Sequence, residues 1–300
     1  MQIKRTKREI SGVLLLDKPI GITSNAALQQ VKRLYQAKKA GLTGILDPLA
    51  SGLLPICFGE ATKFAQYPTD ADKSYTAELQ LGVTTDTGDS EGQVLTQQVV
   101  MVDQVAVQQA IAYFTGVIQQ TPPMYSALKH QGQPLYKYAR QGVEIERLPR
   151  EVSIHCAELT AFAGDRLCLN VVCSKGTYIR VLAEDIGRRL GCGAHLTALR
   201  RTQVGNFSLD DARPLDWLEA QSASDRDLLL LPADCLVAHL PSLALDQDSA
   251  VYFRQGQALC LPQLQVHQRY RIYDEKQEFM GIGALNEDGK LAPKRLIVQR

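Results

Sequence analysis

A single carboxylate, Asp47, lies in a short segment rich in glycine, threonine, proline and serine, residues 40–52. Pro48 fixes φ on one side of Asp47 and biases Asp47 itself toward an extended conformation. The neighbouring glycines allow the backbone to turn sharply or to approach another molecule closely. Such an aspartate either bonds its own backbone in a turn or presents a carboxylate on a stiff loop for catalysis. The spacing alone leaves both readings open.

Four further clusters contain basic side chains, and the last three also contain aromatic and hydroxyl side chains: Asp17-Lys18-Pro19, Lys73-Ser74-Tyr75, residues 123–140 and Ser174 to Arg180. The third interleaves tyrosines with lysine and arginine. Single-stranded or looped RNA suits such a surface, because bases stack on rings and phosphates pair with cations. Each cluster also has a structural alternative: Tyr75 as a core residue, Arg180 as an exposed helix-start arginine, Lys18 as a turn lysine, and residues 123–140 as an amphipathic surface.

Charge is distributed unevenly along this chain of 300 residues, although its net charge is only +1. Residues 1–40 hold nine Lys or Arg against two acidic residues, a net charge of +7, whereas residues 205–235 are acidic. A basic region on a near-neutral protein indicates a local anionic partner or a solvated tail. No apolar run reaches 18 residues, and the charged N-terminus does not look like a secretory signal.

Seven cysteines are scattered without a CxxC pair. Their odd number and apolar surroundings indicate reduced thiols in the cytoplasm rather than a disulfide scaffold. Cys192 and His195 are the nearest approach to a zinc pattern, but no second pair has ligand spacing, so we expect no metal.

Strand and helix patterns alternate irregularly, which favours an α+β fold with a mixed or largely antiparallel sheet. Strands are predicted near 13–16, 75–82 and 167–173. Helices are predicted after Ser24 as a plausible N-cap, over 103–115, and from Ile179 to a stop at Gly191. The acidic stretch 205–235 predicts a late helix and a connection. Short strands at 270–273 and 279–285 and a hairpin turn at 286–289 predict a small β-barrel-like module near the C-terminus.

Several strings occur in the order typical of one family and cover nearly the whole chain: residues 12–19, 43–52, 59–63, 124–129, 176–180, 191–196 and 199–202. On these strings the chain resembles the bacterial TruB family of tRNA pseudouridine-55 synthases. The resemblance implies a pseudouridine-synthase-like mixed, largely antiparallel sheet flanked by helices in a catalytic domain of residues 1–240. It also implies a PUA-like RNA-binding β-barrel over 241–300, a monomer, and transfer RNA as the partner through its T-loop and T-stem.

The resemblance also implies roles for individual residues. Asp47 is the catalytic aspartate, Tyr75 stacks on a flipped-out uracil, and Arg180 pairs with the Asp47 carboxylate. Lys18 and Tyr178 help to shape the pocket. The isomerisation involves no redox change and no net hydrolysis, so no cofactor is expected. A carboxylate can attack an electron-poor carbon as a nucleophile, or it can deprotonate C2′ of the ribose.

A nearby arginine lowers the pKa of an aspartate, whereas burial raises it. We predict that pairing with Arg180 outweighs burial and leaves Asp47 ionised at pH 7. The two alternatives to an isomerase are an RNA-binding or tRNA-folding protein with weak or no turnover, and a glycoside or nucleoside hydrolase. A hydrolase usually needs a second carboxylate, and the motifs show none.

One position departs from the family pattern, in which Gly-His-Thr-Gly-x-Leu-Asp-Pro surrounds the aspartate. Leu42 stands in place of the histidine. The resemblance assigns that histidine to the space left when the RNA loop is remodelled. Leucine keeps the bulk but loses aromatic stacking and hydrogen bonding.

Overall fold

The computed structural model describes residues 7–261, 264 and 268–298. Lys4 and Arg5, part of the predicted basic region, lie outside the described residues. The described residues form eighteen strands: β1 (Gly12–Lys18), β2 (Ala40–Leu42), β3 (Ala50–Phe58), β4 (Lys73–Leu81), β5 (Val83–Thr85), β6 (Val94–Gln97), β7 (Gly116–Gln120), β8 (Lys129–His130), β9 (Gln133–Pro134), β10 (Arg150–Ala163), β11 (Arg166–Cys173), β12 (Ala194–Val204), β13 (Phe207–Ser208), β14 (Arg213–Pro214), β15 (Ser242–Ala244), β16 (Arg269–Tyr273), β17 (Phe279–Leu285) and β18 (Leu291–Leu296).

In the part of the chain that the structure describes, eight α-helices connect or cover the strands: α1 (Ser24–Leu34), α2 (Gln66–Asp70), α3 (Gln104–Tyr113), α4 (Leu135–Ala139), α5 (Ile179–Arg189), α6 (Leu215–Ala220), α7 (Ala223–Asp227) and α8 (Gln247–Arg254). Short 3₁₀ turns lie at Gly59–Phe64, Leu209–Asp211 and Ala233–Val237. Each of these described helices is too short or too polar to cross a lipid bilayer.

The large sheet is mixed and mostly antiparallel, as predicted. Its strand order is β14-β1-β3-β12-β4-β11-β10-β7, with β2 beside β3 and β13 beside β12. Among the described strands of this sheet, the β1–β14 and β3–β12 pairs are parallel and the other pairs are antiparallel. The central strand β4 pairs with both β12 and β11. The predicted strands at 75–82 and 167–173 correspond to β4 and β11.

Helices cover the sheet through apolar faces. The face of α5 that carries Ile179, Leu182 and Ile186 packs with α3 against β4 and β11. Helix α1 packs on β1 and β3 in a second cluster. Helix α5 ends where predicted, because Gly191 adopts a left-handed φ of 77° and donates its N–H to the Arg188 carbonyl. This packing and the terminal glycine fix the position of α5. The first turn of α5 contributes residues to the candidate site described below.

The predicted N-cap of α1 is wrong by one residue. Thr23 caps the helix, and its hydroxyl accepts from the Ala26 N–H at 3.1 Å. Ser24 is the first helical residue and is buried. Because Thr23 caps the helix instead, the Ser24 hydroxyl is available to bond Leu46, which is far away in sequence.

The acidic stretch 205–235 is more broken than the late helix and connection predicted for it. It contains β13, β14, the short helices α6 and α7 and two 3₁₀ turns. Pro214 and Pro232 precede helical segments within it, and proline there starts a new helix rather than continuing an old one.

A separate four-stranded sheet follows, in the order β15-β16-β17-β18. It has its own core, which includes Phe253 of α8, Ile272 and Leu291. The predicted strands at 270–273 and 279–285 and the hairpin turn at 286–289 are present. Ile282 packs instead into a core cluster with residues of the large sheet, and Lys63 donates to the Leu296 carbonyl at 2.8 Å. The small sheet therefore packs against the part of the chain that carries the large sheet.

Candidate active site

A cavity of about 500 Å³ is bounded by the loop of residues 44–47, strand β4, the start of α5 and residues 126–128. Four of the five predicted site residues line this cavity: Asp47, Tyr75, Tyr178 and Arg180. They are contributed by three elements that are far apart in sequence, and the sheet and α5 bring them together. Lys18 is not among the lining residues.

The loop that carries Asp47 is held by hydrogen bonds on both sides. The Ser24 hydroxyl donates to the Leu46 carbonyl and accepts from the Leu46 N–H, each at 2.8 Å. The Gly21 N–H donates to the Pro48 carbonyl at 2.8 Å. These contacts fix the backbone on either side of Asp47, so its carboxylate is presented by a rigid loop.

Glycine is required where this loop enters β3. Gly52 has a φ of 100° and lies opposite Arg201 in the parallel β3–β12 pair. A Cβ at Gly52 would come within 2.3 Å of the Arg201 carbonyl oxygen. A side chain at position 52 would therefore force β3 and β12 apart beneath the site.

Arg180 is the centre of the site and is only 4% exposed. Its Nη2 lies 3.0 Å from Asp47 Oδ2 and donates to the Tyr125 carbonyl at 2.7 Å. Nη1 donates to the Thr87 carbonyl at 2.9 Å. A cation in the first turn of a helix opposes the helix dipole, so Arg180 depends on these acceptors for its position.

Asp89 completes the surroundings of Arg180, and the sequence reasoning missed it. Its Oδ2 lies 3.5 Å from Arg180 Nε, and the residue is 3% exposed. The Thr87 hydroxyl and the Glu91 N–H donate to its Oδ1 at 2.6 and 3.1 Å. The sequence shows a polar loop here, but nothing local indicates that its aspartate reaches α5.

Burial raises the pKa of Asp47 above its ordinary value, and this overturns the expected balance. The carboxylate is 40% exposed, but it lies in a concave cavity whose walls displace water. Desolvation is the largest effect on its pKa, and the negative charge of Asp89 adds to it. Arg180 and, more weakly, Lys18 lower the pKa without outweighing burial. The prediction that pairing with Arg180 outweighs burial was wrong, because desolvation in the cavity and the charge of Asp89 together raise the pKa of Asp47 more than Arg180 lowers it.

Arg201 supports Tyr75 from the adjacent strand, and it is a second residue that the sequence reasoning did not single out. The two residues are directly opposed in the β4–β12 register. Arg201 is 1% exposed and donates to the Leu53 and Gly44 carbonyls at 2.8 and 3.1 Å. Its guanidinium also interacts with the Tyr75 phenol, whose pKa burial raises. The phenol is therefore held neutral at a fixed position, with its ring at the cavity wall.

Tyr178 is fixed through its backbone. The Gln120 side chain accepts from the Tyr178 N–H at 2.7 Å and donates to the Tyr178 carbonyl at 3.1 Å. The Arg150 guanidinium lies 5.2 Å from the centre of the Tyr178 ring. Tyr178 and Arg150 both line the cavity, and together they offer an aromatic face and a cation at its entrance.

Lys18 acts behind the cavity rather than in its wall. Its side chain is fully buried, and its ammonium donates to the Pro19 and Ile22 carbonyls at 2.8 and 2.7 Å. Burial lowers the pKa of Lys18 to about 8, while Asp47 raises it. Lys18 thus fixes the turn before α1 and adds positive charge near the carboxylate.

Leu42 at the end of β2 and Ile45 on the loop both precede the aspartate, and both line the cavity. Leu42 ends β2 and is paired with Ile56 of β3. Ile45 is 58% exposed. Apolar side chains therefore line the cavity next to the charged pair of Asp47 and Arg180.

Comparison with solved structures identifies the fold. A structure described as an H/ACA RNP bound to a substrate RNA containing 2′-deoxyuridine matches with a TM-score of 0.72 at 25% identity, covering 96% of this chain and 86% of that chain. A Cbf5-Nop10-Gar1 complex matches with a TM-score of 0.71 at 26% identity, covering 96% and 84%. The fold and the site together define the Cbf5/TruB-like class of pseudouridine synthases.

Sequence comparison identifies the family within this class of pseudouridine synthases. Three family models match: TruB family pseudouridylate synthase, N-terminal domain, over residues 32–179; tRNA pseudouridylate synthase B C-terminal domain over 180–238; and Pseudouridine synthase II TruB, C-terminal, over 241–297. The chain is 54% identical to tRNA pseudouridine synthase B of Methylobacillus flagellatus, over 100% of this chain and 99% of that protein. It is 56% identical to the protein of that name from Thiobacillus denitrificans, over 98% of each. The chain belongs to the TruB family.

Proposed function

We propose that this protein converts a uridine in the T-loop of transfer RNA, at position 55, to pseudouridine. The observation that carries the proposal is the Asp47 carboxylate, held 3.0 Å from Arg180 in a cavity that Tyr75 also lines. Relatives that are 52–56% identical along their whole length are named as tRNA pseudouridine synthases. An RNA-binding protein without turnover is therefore not favoured.

The residues fit the bond changes of this isomerisation. The N1–C1′ bond of the uridine breaks, the uracil turns, and a C5–C1′ bond forms. C5 loses its hydrogen as a proton and N1 gains a proton, so substrate and product have the same atoms and the same charge. Asp47 serves either as the nucleophile at C1′ or as the base at C2′. In both routes Arg180 fixes the carboxylate and balances its charge, and no cofactor is needed.

A hydrolase would need a second carboxylate facing the substrate. Asp89 is near, but it is 3% exposed and its oxygens are engaged by Arg180, Thr87 and the Glu91 N–H. We propose that Asp89 positions Arg180 and takes no part in bond breaking. This arrangement supports an isomerase over a hydrolase.

The target base must leave the RNA stack to reach Asp47, at a cost of a few kcal/mol. Stacking on an aromatic ring contributes about 1–3 kcal/mol per base. We propose that Tyr75 provides this stacking and that Tyr178 helps to shape the pocket. The remaining binding energy would come from basic residues such as Arg150 and Arg140, whose guanidinium lies 5.5 Å from the ring centre of Tyr136.

We further propose two domains, a catalytic domain of residues 1–240 and a PUA-like RNA-binding domain of residues 241–300. The separate core of the C-terminal sheet and the family-model boundary between 238 and 241 support this division.

We also propose that the protein is a monomer in the cytoplasm and contacts the T-loop and T-stem of transfer RNA. The free thiols, which include the buried Cys57, Cys173 and Cys192, fit that setting.

The direct test uses one tRNA transcript that carries a radiolabelled uridine at position 55. After incubation with the full-length protein, nuclease digestion and chromatography should recover the label as pseudouridine, with none as free uracil. Release of free uracil would support a hydrolase. Unchanged uridine would support an RNA-binding protein without turnover.

Substitution of Tyr75 should separate ring stacking from the phenol hydroxyl. We expect Tyr75→Leu to lower kcat/KM by about tenfold or more, because the stacking energy is lost. Tyr75→Phe keeps the ring and should retain much more activity than the leucine variant. Steady-state kinetics on the tRNA transcript measures both. Equal losses in the two variants would show that the hydroxyl or its contact with Arg201 matters rather than the ring.

The raised pKa of Asp47 predicts an acid limb in the pH profile. Because the folded protein holds the Asp47 proton more tightly than an exposed aspartate does, the ionised form is lost at a higher pH than the ordinary value near 3.9. We expect kcat/KM, which reports the free enzyme, to fall with decreasing pH at a midpoint above that value. Tyrosine fluorescence at each pH checks that the protein stays folded. A midpoint at or below about 3.9 would contradict the stated effect of burial.

A further inference from the structure

The segment that follows Pro123 enters the cavity next to the reacting acid. The Tyr125 carbonyl accepts from Arg180 Nη2, the same nitrogen that lies 3.0 Å from Asp47 Oδ2. The next residue, Ser126, lines the cavity. Its backbone is held at both polar groups, since its N–H donates to the Met124 carbonyl at 2.9 Å and its carbonyl accepts from the Tyr136 N–H at 3.1 Å.

The hydroxyl of Ser126 is buried without a hydrogen-bond partner among the described residues. The residue is 5% exposed. Buried polar groups in native proteins are almost always hydrogen-bonded, so an exception of this kind needs a physical reason. A hydroxyl that lines a substrate cavity can obtain its partner from the substrate.

Several other polar side chains that line the cavity already have hydrogen-bond partners within the protein. The Thr69 hydroxyl donates to the Ala65 carbonyl, and the Thr177 hydroxyl donates to the Ser174 carbonyl, each at 2.9 Å. The Lys73 ammonium donates to the Thr69 carbonyl at 2.6 Å. Arg180 and Arg201 bond backbone carbonyls as described above. Among the described residues that line the cavity, the Ser126 hydroxyl and Arg150 Nε are the buried side-chain polar atoms without a hydrogen-bond partner. The Arg150 guanidinium is nevertheless held, because its Nη2 donates to the Gly176 carbonyl, whereas the hydroxyl is the only polar group of the Ser126 side chain.

The hydrogen-bonding edge of uracil is suited to a single hydroxyl donor such as that of Ser126. Its edge presents an acceptor, a donor and an acceptor: O4, N3–H and O2. A half-turn about the axis through N3 and C6 exchanges N1 with C5, as the isomerisation requires, and it also exchanges O2 with O4. A single donor beside this edge therefore meets a carbonyl oxygen both before and after the base turns.

We propose that the Ser126 hydroxyl donates a hydrogen bond to a uracil carbonyl and keeps an equivalent bond after the half-turn, so that it holds the detached base at Asp47. This inference rests on the proposed function. Ser126 is a base-positioning residue that touches the substrate, and it takes no part in proton transfer. Because its hydroxyl has no partner among the described residues, its removal should leave the fold intact.

The test compares Ser126→Ala with the wild-type protein on three tRNA transcripts that carry uridine, 2-thiouridine or 4-thiouridine at the target position. A thiocarbonyl sulfur is a weaker acceptor than oxygen. On uridine we expect kcat/KM of Ser126→Ala to be about tenfold lower, the size typical of one neutral hydrogen bond. The melting temperature should be unchanged or higher. On at least one thiouridine substrate, the variant and the wild type should become nearly equal.

Thr177→Val is the matched control, because it removes a hydroxyl that already bonds the protein. It should lower the melting temperature, and its effect on kcat/KM should be the same on all three substrates. The inference is overturned if Ser126→Ala matches the wild type on uridine, or if its full loss persists on both thiouridines. Absence of pseudouridine with the wild-type protein would instead overturn the proposed function.

Discussion

Replacing Asp47 by asparagine is expected to lower pseudouridine formation by at least about 10³-fold, because the amide can neither attack C1′ nor take a proton from C2′. The same variant should be more stable than the wild type at pH 7. Since burial raises the pKa of Asp47, the folded state binds its proton more tightly than the unfolded state does, and ionisation lowers stability as the pH rises. Single-turnover kinetics and thermal unfolding at pH 7 measure the two effects.

Asp185→Asn is a suitable control. Burial also raises the pKa of Asp185, and its carboxylate pairs with Arg188 at 2.7 Å, but it does not line the cavity. This variant should keep full activity. If Asp47→Asn retained more than a tenth of the wild-type rate, Asp47 would not be the reacting group.

Replacing Arg180 by lysine is expected to lower kcat/KM by about 10²-fold or more. The guanidinium reaches the Asp47 and Asp89 carboxylates and two backbone carbonyls at once. An ammonium has three donors and no planar fork, so it cannot satisfy this set of acceptors. Arg180→Ala should also lower the free energy of unfolding by about 3–5 kcal/mol, because buried charge is left unpaired. Kinetics and urea unfolding separate the two contributions.

Arg188→Lys provides the control on the same helix. The Arg188 side chain is 76% exposed and pairs with Asp185 within one turn, so its replacement should change neither activity nor stability appreciably. Full activity of Arg180→Lys would contradict the role assigned to the guanidinium.

The sequence predicted the local elements well because they are set by local patterns. Alternation of apolar residues identified β4 and β11, and helical spacing with a terminal glycine identified α5. The prediction that Asp47 and Arg180 form an ion pair came from the family resemblance, and the structure contains that pair at 3.0 Å. The catalytic and binding roles of the predicted site residues stay predictions.

The features that the sequence did not reveal depend on contacts between distant segments. Asp89 and Arg201 reach the site through the packing of a loop on α5 and the register of β12 on β4. Ser24 looked like a helix cap, but its hydroxyl bonds Leu46, which is 22 residues away. The raised pKa of Asp47 follows from the shape of a whole cavity. No local pattern contains this information.

The most direct test is the structure of Asp47→Asn bound to an RNA hairpin with the sequence of the tRNA T-arm. The account predicts that the target uracil lies out of the stack on the Tyr75 ring, with its C1′ beside the side chain of residue 47 and a carbonyl oxygen near Ser126. A bound hairpin whose uridine remains stacked in its loop, with the cavity empty of RNA, would contradict the account.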